Sequence, residues 1–129
     1  MKRVLIVDDD INMHVIYQDT FAERSDIQIV SAYSVAKALE YLGKEIIDLI
    51  VLDIIMEPIS GSYLYLKLTQ DKTIREKKIP IIISSVLGDK GLKHIKKSQF
   101  LAIIEKPFER DAFLLKVDQL LGNVQPRKK

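Results

Sequence analysis

The 129 residues fit one domain with a single substantial core, and 47% hydrophobic against 29% charged residues is the balance of a folded protein, which excludes disorder. A net charge of +2 is too small to imply nucleic-acid or membrane binding by itself, and a chain without cysteine has neither disulfides nor thiolate metal sites. No apolar run approaches the roughly eighteen residues of a membrane span, and Met1-Lys2-Arg3 leads straight into a short apolar run with no signal-peptide stretch, so a cytoplasmic location is expected.

The first apolar run, residues 4–7, reads as a strand and ends in Asp8-Asp9-Asp10. Residues 12–24 follow with helical spacing, apolar at Val15, Ile16, Phe21 and Ala22, and residues 27–31 form a second strand. A second helix over 34–42 opens with a capping Ser34 and carries Val35, Ala38, Leu39 and Leu42 at i, i+3, i+4 and i+7. The third strand, 49–53, is the most apolar and closes on Asp53. A third helix is expected over 61–69, although Tyr63, Leu64, Leu66 and Leu68 define no single face. The fourth strand, 81–84, runs into Ser85, and a fourth helix is expected over 90–97. The fifth strand, 101–104, runs into Glu105-Lys106-Pro107-Phe108. A last helix over 109–121 turns Phe113, Leu114, Val117, Leu120 and Leu121 inward, and Gly122 ends it. Strict alternation of strand and helix predicts a parallel sheet with helices on both faces. The domain is expected to be 1–122, with residues 123–129 a frayed basic tail containing Pro126.

Asp8 and Asp9, Asp53, Ser85 and Lys106 all lie at carboxyl ends of expected strands, the edge where open α/β sheets bind ligands. Crowded carboxylates are tolerable only if a cation or a bound proton offsets their repulsion. A carboxylate nucleophile, a hard divalent metal and donors for phosphoryl oxygens are the parts that phosphoryl transfer needs. Each residue also has a plainer reading. An Asp-Asp-Asp turn can cap a helix, through Asp10 or Asn12; Ser85 can be a turn serine; Lys106 can be a solvated strand-end lysine. A cis bond before Pro107 would aim the Lys106 ammonium into the pocket. His14 and His94 read as structural or solvent-facing residues.

From about Lys2 to Gly122 the chain resembles the receiver domain of two-component response regulators. The resemblance rests on the acidic pair Asp8-Asp9, Gly61 eight residues past Asp53, Pro80 leading into Ser85, and Lys106-Pro107-Phe108. It implies a flavodoxin-like, doubly wound five-stranded parallel sheet of order 2-1-3-4-5 with five helices. It further implies that Asp53 accepts a phosphoryl group from the phosphohistidine of a sensor histidine kinase or phosphotransfer protein, with Ser85 and Lys106 assisting. Asp9, Asp53 and the carbonyl of Ile55 would bind Mg²⁺, with Asp8 acting largely through metal-bound water. The chain would not be a turnover enzyme beyond self-phosphotransfer and autodephosphorylation. Output to a partner protein or a second receiver would use the face made by the helix over 90–97, the fifth strand and the last helix, where Lys90, Lys93 and Lys97 line one side. No direct contact with nucleic acid or membrane is expected.

Departures from the family pattern fall on signal read-out: Glu57 before Pro58, Val86 after the switch hydroxyl, Ile103 where an aromatic is usual, and Gln99-Phe100 before the fifth strand. Two other readings stand beside this one. A small phosphatase of haloacid dehalogenase type would use Asp8 as nucleophile and Asp10 as acid/base, without explaining the spacing of Met56 and Gly61 after Asp53. A degenerate receiver would act only as an interaction module.

Overall fold

A computed structural model describes residues 1–54, 61–86 and 100–122. In chain order these hold β1 (Lys2–Val7), α1 (Ile11–Thr20), β2 (Ile27–Ala32), α2 (Val35–Lys44), β3 (Leu49–Leu52), α3 (Gly61–Gln70), α4 (Lys72–Arg75), β4 (Ile81–Ser85), β5 (Leu101–Glu105) and α5 (Arg110–Gly122). The strands form one parallel sheet in the order β2-β1-β3-β4-β5, as the resemblance implies. The helix expected over 90–97, the tail 123–129 and Ile55 lie outside the described residues.

β1, β3 and β4 are the inner strands, and from Val4 onward they are buried on both faces. That is why they read as continuous apolar runs and not as alternation. Successive side chains still point to opposite faces and so divide the core in two. Leu5, Val7, Ile50, Leu52, Ile81 and Ile83 pack with Val35, Ala38, Leu42, Leu64 and Leu68 of α2 and α3. Val4, Ile6, Leu49, Val51, Ile82 and Ile104 pack with Tyr17 and Phe21 and with Phe113, Val117 and Leu120 of α5. Each fully buried aliphatic side chain contributes about 1.5–3 kcal/mol of transfer free energy, so these two layers dominate stability.

Caps set the helix starts. Asp10 accepts from the Asn12 amide at 2.9 Å and Ser34 from the Lys37 amide at 3.1 Å, each satisfying an otherwise orphaned N–H. Asp71 accepts from the Ile74 amide at 3.1 Å and starts α4, a single turn that the sequence reading did not anticipate because four residues show no periodicity.

The α1 face needs correction. The helical spacing over 12–24 rests on apolar Val15 and Ile16, yet they are 55% and 45% exposed, while His14, Tyr17 and Thr20 are buried. The polar side chains find partners inside: Thr20 Oγ1 donates to the Ile16 carbonyl at 2.7 Å, and His14 bonds the Asp8 backbone. α1 also stops at Thr20 instead of reaching Arg24. Phe21 turns into the core, and Arg24 pairs with Asp26 and with Asp118 of α5.

Phe113 is fully buried and its ring touches Tyr17, Phe21 and Phe108. Phe113→Ala is expected to lower unfolding free energy by about 3–5 kcal/mol, the range for an aromatic cavity, with the urea m-value unchanged.

Candidate functional site

Alternation along the strands fixes which side chains meet. Ile6, Val51 and Ile104 share the core layer under α1 and α5, and Asp8, Asp53 and Lys106 each lie two residues beyond one of them. Two residues on is the same face of the sheet. The backbone ladder continues past the strands and holds these residues in line. The Asp8 amide donates to the Ala32 carbonyl at 3.2 Å, the Asp53 amide to the Val7 carbonyl at 2.9 Å, and the Lys106 amide to the Ser85 carbonyl at 2.8 Å. The Lys106–Pro107 bond is cis.

Asp8, Asp9 and Asp53 each bring a carboxylate oxygen within 4.8 Å of the others. Lys106 Nζ lies 2.8 Å from Asp8 Oδ2 and 3.8 Å from Asp53 Oδ2. The side chains of Lys106, Asp8 and Asp53 are only 11%, 2% and 11% exposed, so water screens them little and removing one partner strands a buried charge at a cost of about 3–5 kcal/mol. Both Asp8 oxygens have partners: Oδ1 accepts from the Asp10 amide at 2.9 Å and Oδ2 takes the ammonium. Its backbone is braced too, since His14 Nε2 lies 2.7 Å from the Asp8 carbonyl. A carbonyl can only accept, so Nε2 carries the proton and donates. The His14 ring rests on Tyr33, with centroids 4.2 Å apart.

Three carboxylates against one ammonium leave a formal charge of −2 (−3 + 1) from groups within contact range. All the donors are hard oxygens, and a divalent cation that keeps several waters fits that set. The carboxylates open into a cleft of about 520 Å³, also lined by Asp10, Lys106 and an apolar wall of Met13, Ile16, Val86, Pro107 and Phe108.

Five of the six residues singled out from the sequence are described. Asp8, Asp9, Asp53 and Lys106 converge; Ser85 is buried at the end of β4, in register with Glu105 and beside the cluster. Ile55 lies outside the described residues. Sequence reasoning missed two residues beneath the cluster, His14 and Tyr17, because both sit on a helix whose apolar spacing favoured Val15 and Ile16. Burial drives the Tyr17 phenol pKa well above its ordinary value; the Ser84 hydroxyl opposes this, and the charges of Asp8 and Asp53 add to it.

The family model of the response regulator receiver domain matches residues 4–118. The response regulator GtcR of Aneurinibacillus migulanus is 33% identical over 84 residues, 65% of this chain; the match spans about a third (32%) of that relative's length. Among solved structures, the response regulator TrrA of Thermotoga maritima, in complex with Mg²⁺-BeF, is 27% identical with a TM-score of 0.77 over 93% of this chain and 99% of that one. The receiver domain of a signal transduction histidine kinase from Syntrophus aciditrophicus reaches a TM-score of 0.83 at 22% identity, over 99% of this chain and 96% of that one. Chemotaxis protein CheY4 of Vibrio cholerae reaches 0.79 at 21% identity, over 93% and 98%.

Gly61 backs the end of β3. A Cβ there would collide with the Asp53 carbonyl oxygen and lie 2.8 Å from Ile54 Cα, both backbone atoms that cannot swing aside as a flexible side chain does. Gly61→Ala is expected to displace the Asp53 backbone and cost about 1–3 kcal/mol of stability, as for overpacked sites. Amide shifts at Asp53 and Ile54 together with a lowered urea midpoint would register both effects.

Proposed function

This chain belongs to the response regulator receiver domain family of two-component signalling, and on that premise we propose that Asp53 is its phosphoryl acceptor, working with Mg²⁺. The observation that carries the reading is the convergence of Asp8, Asp9 and Asp53 within 4.8 Å, with the Lys106 ammonium 2.8 Å and 3.8 Å from two of them. In the transfer, an Asp53 carboxylate oxygen forms a bond to phosphorus as the phosphorus–nitrogen bond of a phosphohistidine breaks. The electron pair leaves with the imidazole, and Asp53 becomes an acyl phosphate. Asp9 and Asp53, with the Ile55 carbonyl, would hold the metal directly, and Asp8 would hold it through water. When bound, Mg²⁺ supplies compensation for the charge on the phosphoryl oxygens. Lys106 supplies a fixed positive charge already in place, so little reorganisation is needed when the phosphoryl group arrives. Ser85, at the end of β4, would donate to a phosphoryl oxygen.

Asp53 is the better nucleophile than Asp8. Asp8 is 1% exposed against 9% for Asp53, so an incoming phosphoryl group meets Asp53 first. The phosphohistidine donor would be a sensor kinase or phosphotransfer protein in the cytoplasm. The chain would carry signal and not turn over substrate. Branched Ile103, half-buried and paired with Ile83, has a stiffer χ1 than an aromatic side chain, so switching would not rely on an aromatic rotamer.

Incubation with Mg²⁺ and a small phosphodonor is expected to add one phosphoryl group by mass, and chelation or Asp53→Asn to abolish it. Asp53→Asn protein that still gains the mass would move the nucleophile to Asp8 and overturn the reading.

The output face is proposed to include β5, α5 and the lysines Lys90, Lys93 and Lys97. Reversing Lys93 and Lys97 to Glu should weaken salt-sensitive, phosphorylation-dependent association with an acidic partner or second receiver. Mass labelling of Asp53 should be unchanged. Survival of both properties would place the output surface elsewhere.

A further inference from the structure

His14 is a buried polar residue that phosphoryl transfer as described does not use. It lies on α1, is 4% exposed and touches the acidic loop that follows β1. Its Nε2 donates to the Asp8 backbone carbonyl at 2.7 Å, between residues six apart in the chain. Its Nδ1 is wholly buried and has no hydrogen-bond partner among the described residues. That orphan costs free energy, and an aliphatic side chain of similar size would fill the space without it. What the imidazole provides in return is the one bond that Nε2 makes. The Tyr33 ring, just past β2, packs on it with centroids 4.2 Å apart and a tilt of 45°, which leaves the imidazole little freedom to turn away.

That bond closes a loop around Asp9. Asp8 is held at its amide by the Ala32 carbonyl, at Oδ1 by the Asp10 amide and at Oδ2 by Lys106. Asp10 caps α1 through the Asn12 amide, and its carbonyl accepts from the Met13 amide at 3.1 Å. The far side of the loop is thereby tied to the helix that carries His14. Asp9, between Asp8 and Asp10, is exposed, yet its carboxylate shares the 4.8 Å cluster with those of Asp8 and Asp53. The Asp8 carbonyl and the Asp9 amide belong to one planar peptide, so holding the carbonyl fixes the plane from which Asp9 departs. We propose that His14 is a positioning residue for metal binding, its Nε2–H holding the Asp8–Asp9 peptide so that the Asp9 carboxylate stays among the oxygens that would take the cation. The inference rests on the reading of the site as a Mg²⁺-dependent acceptor. Partners standing behind metal ligands affect affinity about 10–100-fold.

The experiment uses the whole chain with Mg²⁺ alone as probe and reads the dissociation constant by calorimetry, without a phosphodonor. His14→Leu fills the same space without a donor and is expected to bind Mg²⁺ about tenfold more weakly. His14→Gln can present an amide N–H where Nε2 lies and should restore most of that loss. A merely structural His14 would lower the unfolding midpoint of His14→Leu without moving the Mg²⁺ dissociation constant. Nuclear magnetic resonance supplies a reading that leaves the site unchanged. The chain has two histidines, so His94→Gln leaves a single imidazole to assign. Its Nε2–H is expected to exchange slowly with water and to shift when Mg²⁺ saturates the protein. An Nε2–H that does not shift, a His14→Leu protein that binds as tightly as the wild type, or a His14→Gln protein that loses as much as His14→Leu each overturns the positioning role and leaves the acceptor reading intact. A wild type that binds no Mg²⁺ overturns both.

Discussion

One ammonium held between two buried carboxylates is the interaction around which this molecule is arranged. Lys106 can reach Asp8 and Asp53 only if β1, β3 and β5 all end at the same edge, which a fully parallel sheet guarantees and an antiparallel one would not. Parallel strands in turn need crossover helices, and those helices bury both faces of the inner strands. The apolar runs, the alternation of strand and helix and the clustering of charge at one end are therefore consequences of a single geometric requirement. Carboxylates brought together this way repel, and the ammonium offsets only part of that repulsion. The residual negative charge gathers at that one edge, where a divalent ion would offset it.

The two faces of the sheet are chemically unequal. The layer under α2 and α3 is almost wholly aliphatic. The layer under α1 and α5 carries the aromatic rings, and its upper margin carries Asp8, Asp53, Ser84 and Lys106. Asp8, Asp53 and Lys106 there are held by specific partners, whereas the aliphatic face is held by volume alone. Substitutions that conserve size should be absorbed easily on the aliphatic face. On the other face the same swaps would break hydrogen bonds whose geometry is fixed by neighbours.

Much of this was legible in the residues. Val4 to Val7 and Ile50 to Leu52 announce inner strands because burial on both faces removes any polar position, and the residue directly after such a run must sit at the edge. That logic located Asp8 and Asp53 without coordinates, Lys106 followed the fifth run two places on, and Ser34 and Asp10 marked helix starts by their side-chain chemistry. The face of α1 was not legible. Val15 and Ile16 look like core residues by transfer free energy, and only tertiary partners make His14, Tyr17 and Thr20 the buried set. Helix periodicity tells which residues share a side but not which side meets the sheet when both carry apolar groups. α4 escaped for a different reason: one turn held by the Asp71 cap is too short to leave a pattern.

The fastening of α5 bears on how the chain comes to be folded in the cell. Arg24 reaches Asp118 and Arg110 reaches Glu23, separations of 94 and 87 residues, and Phe113, Val117 and Leu120 are the lid over Val4, Ile6, Val51 and Ile82. Within this domain a ribosome delivers those lid residues last. Until they emerge, β1 and β3 can pair and α2 can cover one face, but the opposite face, covered by α1 alone, stays partly open and apolar. Contacts of such long sequence separation form slowly, and exposed apolar surface in a nascent chain is what chaperones bind. Synthesis of this domain therefore ends with its most aggregation-sensitive moment, and release of the final helix from the ribosomal tunnel is the step that ends it.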